Sequence, residues 1–191
     1  MLFLILFLSY FIGSIPFGFL LTKIFLKKDI REIGSGNIGA TNALRTGNKL
    51  IGYSTLTLDI SKAVILLLII KFNFSEYLFI SSIAVFLGHV FPIWLNFKGG
   101  KGVATYVGIL FCVNIYLVIV FIVSWIVIFT LTRYSSLASM LSSLFVPLTS
   151  YFLLGDKNYY FYIIFSLLIL ITHRENIKRL KNNTESKTKI Y

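Results

Sequence analysis

Residues 103–131 read VATYVGILFCVNIYLVIVFIVSWIVIFTL. The run is apolar over about 29 residues, long for one spanning helix of ~20 residues and short for two. Asn114 sits in the interior of the run, where a polar side chain can mark a tight turn. Whether this run crosses a bilayer once or twice decides which side every later loop faces.

The remainder of the chain makes a bilayer the expected solvent. Of its 191 residues, 57% are hydrophobic and 13% charged, with a mean hydropathy of +0.86. Soluble domains run nearer ~45–50% apolar and ~25% charged. Further spans are expected near Leu2–Leu21, Leu50–Ile70, Leu78–Phe97, Leu137–Leu154 and Tyr159–Thr172. The first has no basic lead and no small-residue cleavage site, so it reads as a retained span and not as a signal peptide. The single cysteine, Cys112, lies in an apolar run and reads as a packing residue.

Charge arbitrates the parity, because cytoplasmic loops collect lysine and arginine. The chain has 18 of these and a formal net charge of +11. In a soluble protein that balance would suggest nucleic acid; here its location carries the information. If residues 103–131 hold two helices, the spans number seven and the N-terminus lies outside. The inner face then collects Lys23, Lys27, Lys28, Arg31, Arg45, Lys49, Lys98, Lys101, Arg133 and the tail cations from Arg174 to Lys189. Lys71 and Lys157 fall outside, and Lys62 lies within a span. If the run is one helix, Arg133 and the tail cations move to the outer face. The expected fold is therefore an all-α polytopic integral membrane protein with seven transmembrane helices, the N-terminus outside and the C-terminus cytoplasmic. Residues 1–180 form a single transmembrane domain, and residues 181–191 a polar, frayed cytoplasmic tail.

Three polar segments land on that cytoplasmic face. Residues 34–45 read GSGNIGATNALR. Three glycines within six residues let successive backbone N–H groups converge, as in a phosphate-binding nest; the other reading is a flexible inter-helix loop. The string contains a formal G-x-G-x-x-G, but a dinucleotide fold needs a preceding strand, and no Gly-Lys-Ser/Thr closes a P-loop. Arg45 offers a planar fork suited to phosphate; a juxtamembrane anchor is the plainer reading. Residues 88–105 read GHVFPIWLNFKGGKGVAT. Lys101, bracketed by Gly99, Gly100 and Gly102, suits a phosphate clamp, whereas Lys98 suits snorkelling. His89 lies inside a span, where ionisable groups are usually functional; hydrogen bonding to a neighbouring helix is the alternative. Residues 173–180 read HRENIKRL, and His173 and Asn176 share a helix face. Asp59 and Lys62, three apart within a span, are expected to pair structurally. Ser135, Ser136 and Ser139 either line a polar site or simply pack helices. No Ser-His-Asp or Cys-His order and no metal-ligand spacing is evident, so a site here would work by binding phosphates and positioning reactants.

Read together, the three segments resemble the three motifs of the bacterial acyl-phosphate:glycerol-3-phosphate acyltransferase family, over Met1 to about Leu180. The resemblance implies a catalytic domain over residues 1–180, in the bacterial cell (inner) membrane, with its active site facing the cytoplasm. It implies transfer of a fatty acyl group from acyl phosphate to the 1-hydroxyl of sn-glycerol 3-phosphate. The products would be 1-acyl-glycerol 3-phosphate (lysophosphatidate) and phosphate, the first step of phospholipid synthesis. No cofactor, no metal-ligating residues and no nucleic-acid partner are expected. The partners are the two substrates, membrane lipid and a separate phosphate acyltransferase that supplies acyl phosphate. By similarity, Gly36, Asn37 and Gly39 cradle acyl phosphate, with Asn42 in the same loop. The catalytic residues it implies are Ser35, Arg45 and Lys101, which bind phosphate groups, and His173 and Asn176, which contact glycerol 3-phosphate, with Gly100 and Gly102 beside the lysine as substrate contacts. Ser139 and His89 sit in matching contexts as further substrate contacts. The tail departs from the family pattern in KNNTESK, where a glycine is expected before Thr184-Glu185. The rival class is a small transporter of a phosphorylated solute, disfavoured because the charges crowd one face and no repeated halves are evident.

Overall fold

A computed structural model describes residues 1–188, and among these every regular element is helical. The expected inner placement of Lys189 and the end of the 181–191 tail lie outside the described residues. The helices are α1 (Leu2–Gly13), α2 (Phe17–Leu26), α3 (Ala40–Leu44), α4 (Lys49–Asn73), α5 (Leu78–Val90), α6 (Val103–Val113), α7 (Ile115–Thr132), α8 (Ser135–Phe152), α9 (Tyr159–Thr172) and α10 (Arg174–Lys181). Single 3-10 turns occupy Ile30–Glu32, Ser75–Tyr77 and Ile93–Leu95.

The decisive run divides at Asn114. The Asn114 side chain accepts the Tyr116 N–H at 3.0 Å and so caps the start of α7. The first half, α6, has 11 residues and reaches about 17 Å, well short of a ~30 Å hydrocarbon core. Among the described residues, three stretches are long and apolar enough to cross a membrane: Leu2–Leu26, Ser75–Leu95 and Ile115–Thr132. The last buries Leu117, Val118 and Phe121 but exposes Ile115, Ile119, Ile122, Val123 and Ile126. A helix greasy on its outer face belongs in lipid.

Two expected spans are interrupted, both at proline. Leu2–Leu21 breaks after Gly13 and restarts at Phe17, because Pro16 has no N–H and disfavours helix at the residue before it. Leu78–Phe97 ends as α-helix at Val90, and Pro92 opens a 3-10 turn.

The chain forms two compact units, Met1–Cys112 and Val113–Tyr191. In the first, α1 packs on α5, and α4 packs against α1, α2, α3 and α5. A Cβ at Gly88 would strike the backbone of Tyr10, so glycine there lets α5 reach α1. Tyr10 Oη donates to the Phe91 carbonyl at 2.6 Å, and Trp94 Nε1 to Ser14 Oγ at 3.0 Å. In the second unit α8 packs between α7 and α9, and α10 follows on α9.

Residues 182–188 are held, not frayed as expected. The Thr184 N–H donates to the Arg179 carbonyl at 2.8 Å, the Asn183 N–H to Leu180 at 3.2 Å, and the Thr188 N–H to the Arg133 carbonyl at 2.9 Å. The first two bonds close α10 as a Schellman motif, with Asn183 at φ +56°. That is the position where a glycine was expected, and asparagine is among the few other residues that enter this region readily.

Candidate active site

The glycine loop between α2 and α3 is built around Asn42. Its Nδ2 donates to the carbonyls of Ile30 (3.1 Å), Ile33 (2.8 Å) and Asn37 (2.8 Å), while its Oδ1 accepts the Ser35 N–H at 2.9 Å. One buried amide thus ties both limbs of the loop together. Expected as a substrate contact, Asn42 has its amide committed to the loop itself. Asn37 Oδ1 accepts the Gly39 N–H at 2.8 Å, and Gly36 takes φ +72°, a turn that favours glycine. These bonds leave Gly34, Ser35 and Gly36 at the surface. Arg45 caps the C-terminus of α3 and is half-buried, with its aliphatic stem against Gly34. The loop's root is fixed by the Ile30–Glu32 turn. There Asp29 accepts Arg31 Nη2 at 2.6 Å, and the guanidinium holds its carboxyl down at about 2.

The second glycine-rich turn, 99–102, lies on the end of α5. The Gly99 N–H donates to the Val90 carbonyl at 3.0 Å and the Gly100 N–H to the His89 carbonyl at 3.1 Å. Gly100 faces the His89 ring so closely that a Cβ would collide with Nε2. Lys101 is half-buried between these contacts. Ile30, Ile38, Ala43 and Ile51, around the first loop, are buried together with Leu95 of the turn that precedes the second. The expected Asp59–Lys62 pair is present at 2.8 Å, and His89 joins it: Lys62 Nζ lies 3.0 Å from His89 Nδ1.

In the second unit, His173 lies between α9 and α10, with Nδ1 2.8 Å from the Ile169 carbonyl. Only a protonated nitrogen satisfies a carbonyl, so the ring's tautomer is assigned by that bond. Asn176, one turn on and buried, donates Nδ2 to Glu185 Oε1 at 2.6 Å. Glu185 also accepts from Ser136 Oγ (2.7 Å) and Arg179 Nε (2.6 Å). Burial alone would raise its carboxyl; the hydrogen bonds from Ser136, Arg179 and Asn176 outweigh this and hold it below the usual range. Glu185 did not stand out in the sequence because its three partners come from two helices. The only sequence signal was the Thr184-Glu185 pair after α10. Ser139 is buried, donating to the Ser135 carbonyl and accepting Trp125 Nε1 at 3.0 Å.

The chain matches the family described as glycerol-3-phosphate acyltransferase over residues 3–183. It is 66% identical to a glycerol-3-phosphate acyltransferase of Pelagibacter ubique, covering 96% of this chain and 95% of that one. It is 50% identical to the protein of that name from Bartonella henselae, over 96% and 90% of the two chains. Among solved structures it is similar to PlsY (YgiH), an integral membrane glycerol 3-phosphate acyltransferase. The glycerol 3-phosphate form matches with a TM-score of 0.89 at 36% identity, over 97% of this chain and 94% of that one. The lysophosphatidic acid form matches with a TM-score of 0.87 at 35% identity, over the same shares.

Proposed function

The chain belongs to the glycerol-3-phosphate acyltransferase family, and on that premise we propose that it moves a fatty acyl group from acyl phosphate to the 1-hydroxyl of sn-glycerol 3-phosphate. The products are 1-acyl-glycerol 3-phosphate and inorganic phosphate. The observation that carries this reading is the likeness, along nearly the whole chain, to an acyltransferase solved in both a glycerol 3-phosphate and a lysophosphatidic acid form.

Two phosphate-bearing substrates account for two glycine-rich loops with cations. Gly36, Asn37 and Gly39 cradle the acyl phosphate. Ser35, Arg45 and Lys101 bind phosphate groups, Lys101 from the turn made by Gly100 and Gly102. His173 and Asn176 contact glycerol 3-phosphate, Asn176 held in place by Glu185, and Ser139 supports the same unit through Trp125. Acyl phosphate is a mixed anhydride with a good leaving group, so no enzyme nucleophile is required. The glycerol hydroxyl oxygen attacks the acyl carbon, the bond from that carbon to the bridging phosphate oxygen breaks, and phosphate leaves with the electron pair. A substrate phosphate oxygen takes the hydroxyl proton. The cations stabilise the charge that gathers on the leaving phosphate.

The membrane disposition belongs to the same reading. Seven spans put the N-terminus outside and the C-terminus inside, with the glycine loops and the start of α10 facing the cytoplasm, where glycerol 3-phosphate is soluble. A phosphate acyltransferase supplies the lipidic donor from that side.

The test is purified protein incubated with radiolabelled glycerol 3-phosphate and either palmitoyl phosphate or palmitoyl-coenzyme A. Labelled lysophosphatidate from the acyl phosphate alone is expected. Product from the thioester alone overturns the donor, and acyl-protein formed from palmitoyl phosphate without acceptor overturns direct attack.

A further inference from the structure

We propose that Asp59, Lys62 and His89 form a buried positioning triad that holds the Gly99–Gly102 turn, and with it Lys101, in its working conformation. The inference rests on the reading of Lys101 as a phosphate ligand.

The Lys62 ammonium, with its three N–H donors, lies against three protein groups. It forms an ion pair with Asp59 Oδ1 at 2.8 Å, lies 3.0 Å from His89 Nδ1, and donates to the Ile15 carbonyl at 2.9 Å. The Ile15 carbonyl is available because the chain breaks there ahead of Pro16. Lys62 is thus enclosed by protein atoms and only 5% exposed, which leaves it little surface to offer a substrate. Its donation to Nδ1 makes that nitrogen an acceptor, which places the His89 ring proton on Nε2. Nε2 is the ring atom pressed against Gly100, and the His89 carbonyl takes the Gly100 N–H. The residue therefore grips the turn with both ring and backbone. The ring itself is 4% exposed, which leaves it little surface to offer a ligand.

Three ionisable groups inside helices of a membrane protein are costly to bury. A pair that served packing alone could be replaced by apolar residues of similar volume. The pair is coupled through His89, which alone of the three touches the turn that carries Lys101. His89 accordingly acts through the turn, as a positioning residue, and not on the substrate.

The experiment uses full-length protein in detergent or nanodiscs. The paired change Asp59→Asn with Lys62→Met leaves no unpaired charge. It is expected to raise KM for glycerol 3-phosphate by roughly tenfold, the scale of a lost hydrogen bond to a charged group. Hydrogen exchange across residues 98–102 should quicken while α1 and α5 keep their protection. Should that pair fail to fold, His89→Asn carries the test, because its Oδ1 can stand where Nδ1 stood and keep Lys62 partnered. His89→Asn also removes the atoms that a Gly100→Ala methyl would strike. Gly100→Ala should therefore damage KM strongly in the parent and far less in the His89→Asn background. Unchanged exchange and KM, or single effects that simply multiply in the double variant, overturn the proposal. Lys101→Ala, measured in parallel, separates the two ideas. An unchanged KM in that variant removes Lys101 as a phosphate ligand, while exchange at 98–102 still judges the triad.

Discussion

Glu185 faces three donors: the Ser136 hydroxyl, the Asn176 amide and the Arg179 guanidinium. In Glu185→Gln one acceptor oxygen becomes a donor, leaving at least one of these groups opposed to another donor. The expected cost is about 1–3 kcal/mol, read as a lower melting temperature. The same carboxyl gives a pH signature. Its folded-state pKa is depressed, so the stability it contributes is present above the ordinary glutamate value of ~4.3 and is lost as pH falls through the folded-state value. The melting difference between parent and Glu185→Gln should be full near neutrality and shrink only in acid; a difference independent of pH would remove the carboxylate from the account. Two residues earlier, Asn183 sits at φ +56°. Asn183→Gly should be neutral or slightly stabilising, while Asn183→Val should cost about 1–2 kcal/mol because a β-branched residue resists that conformation. Comparing the two melting curves tests whether the Schellman turn orders the tail.

At the scale of the element, three prolines show what a local rule can and cannot read. Pro16 and Pro92 each end helical structure, whereas Pro147 sits inside α8 without breaking it. Inside α8 the proline leaves the carbonyl four residues back without its helical donor. For Pro147 that carbonyl belongs to Ser143, and Ser166 Oγ of α9 donates to it, the kind of rescue a neighbouring helix gives in a membrane. Ser166→Ala is expected to lose about 1–3 kcal/mol and to weaken the α8–α9 pairing. Ser166→Ala in a Pro147→Ala background should cost less, since the helix then satisfies Ser143 itself. Spacing alone exposed the Asp59–Lys62 pair, and a polar residue in a greasy run exposed the break at Asn114. The third partner of that pair, His89, is 27 positions further on, and only packing of α5 on α4 brings it near. The same limit hid Glu185. The glycine-rich stretch was legible as a polar loop in a greasy chain, but its hub was not, because the bonds of Asn42 reach back as far as Ile30.

For the whole molecule, the membrane class followed from composition, since a chain 57% hydrophobic and 13% charged has too little polar surface for a soluble coat, and the helical class followed from apolar runs of about 20 residues. Parity is a different quantity, settled by a bilayer's response to charge and not by any contact within the protein. The helix α6 is short for a span, so the seven-span reading stands on the loops that Arg133 and the tail cations occupy. Two sites distinguish the parities. Lys28, after the first span, is inside in both schemes when the N-terminus is out. Lys157, between α8 and α9, is outside with seven spans and inside with six. With Cys112→Ser removing the only native thiol, Lys28→Cys and Lys157→Cys can each be challenged with a membrane-impermeant maleimide on intact spheroplasts. Both residues are exposed, so accessibility reports sidedness. Labelling of Lys157→Cys alone, with Lys28→Cys reacting only after permeabilisation, is the expected result. Protection of both until permeabilisation would make residues 103–131 a single crossing. Arg133 and the start of α10 would then face the outer side, and His173 and Asn176 would be removed from the cytoplasmic chemistry assigned to them.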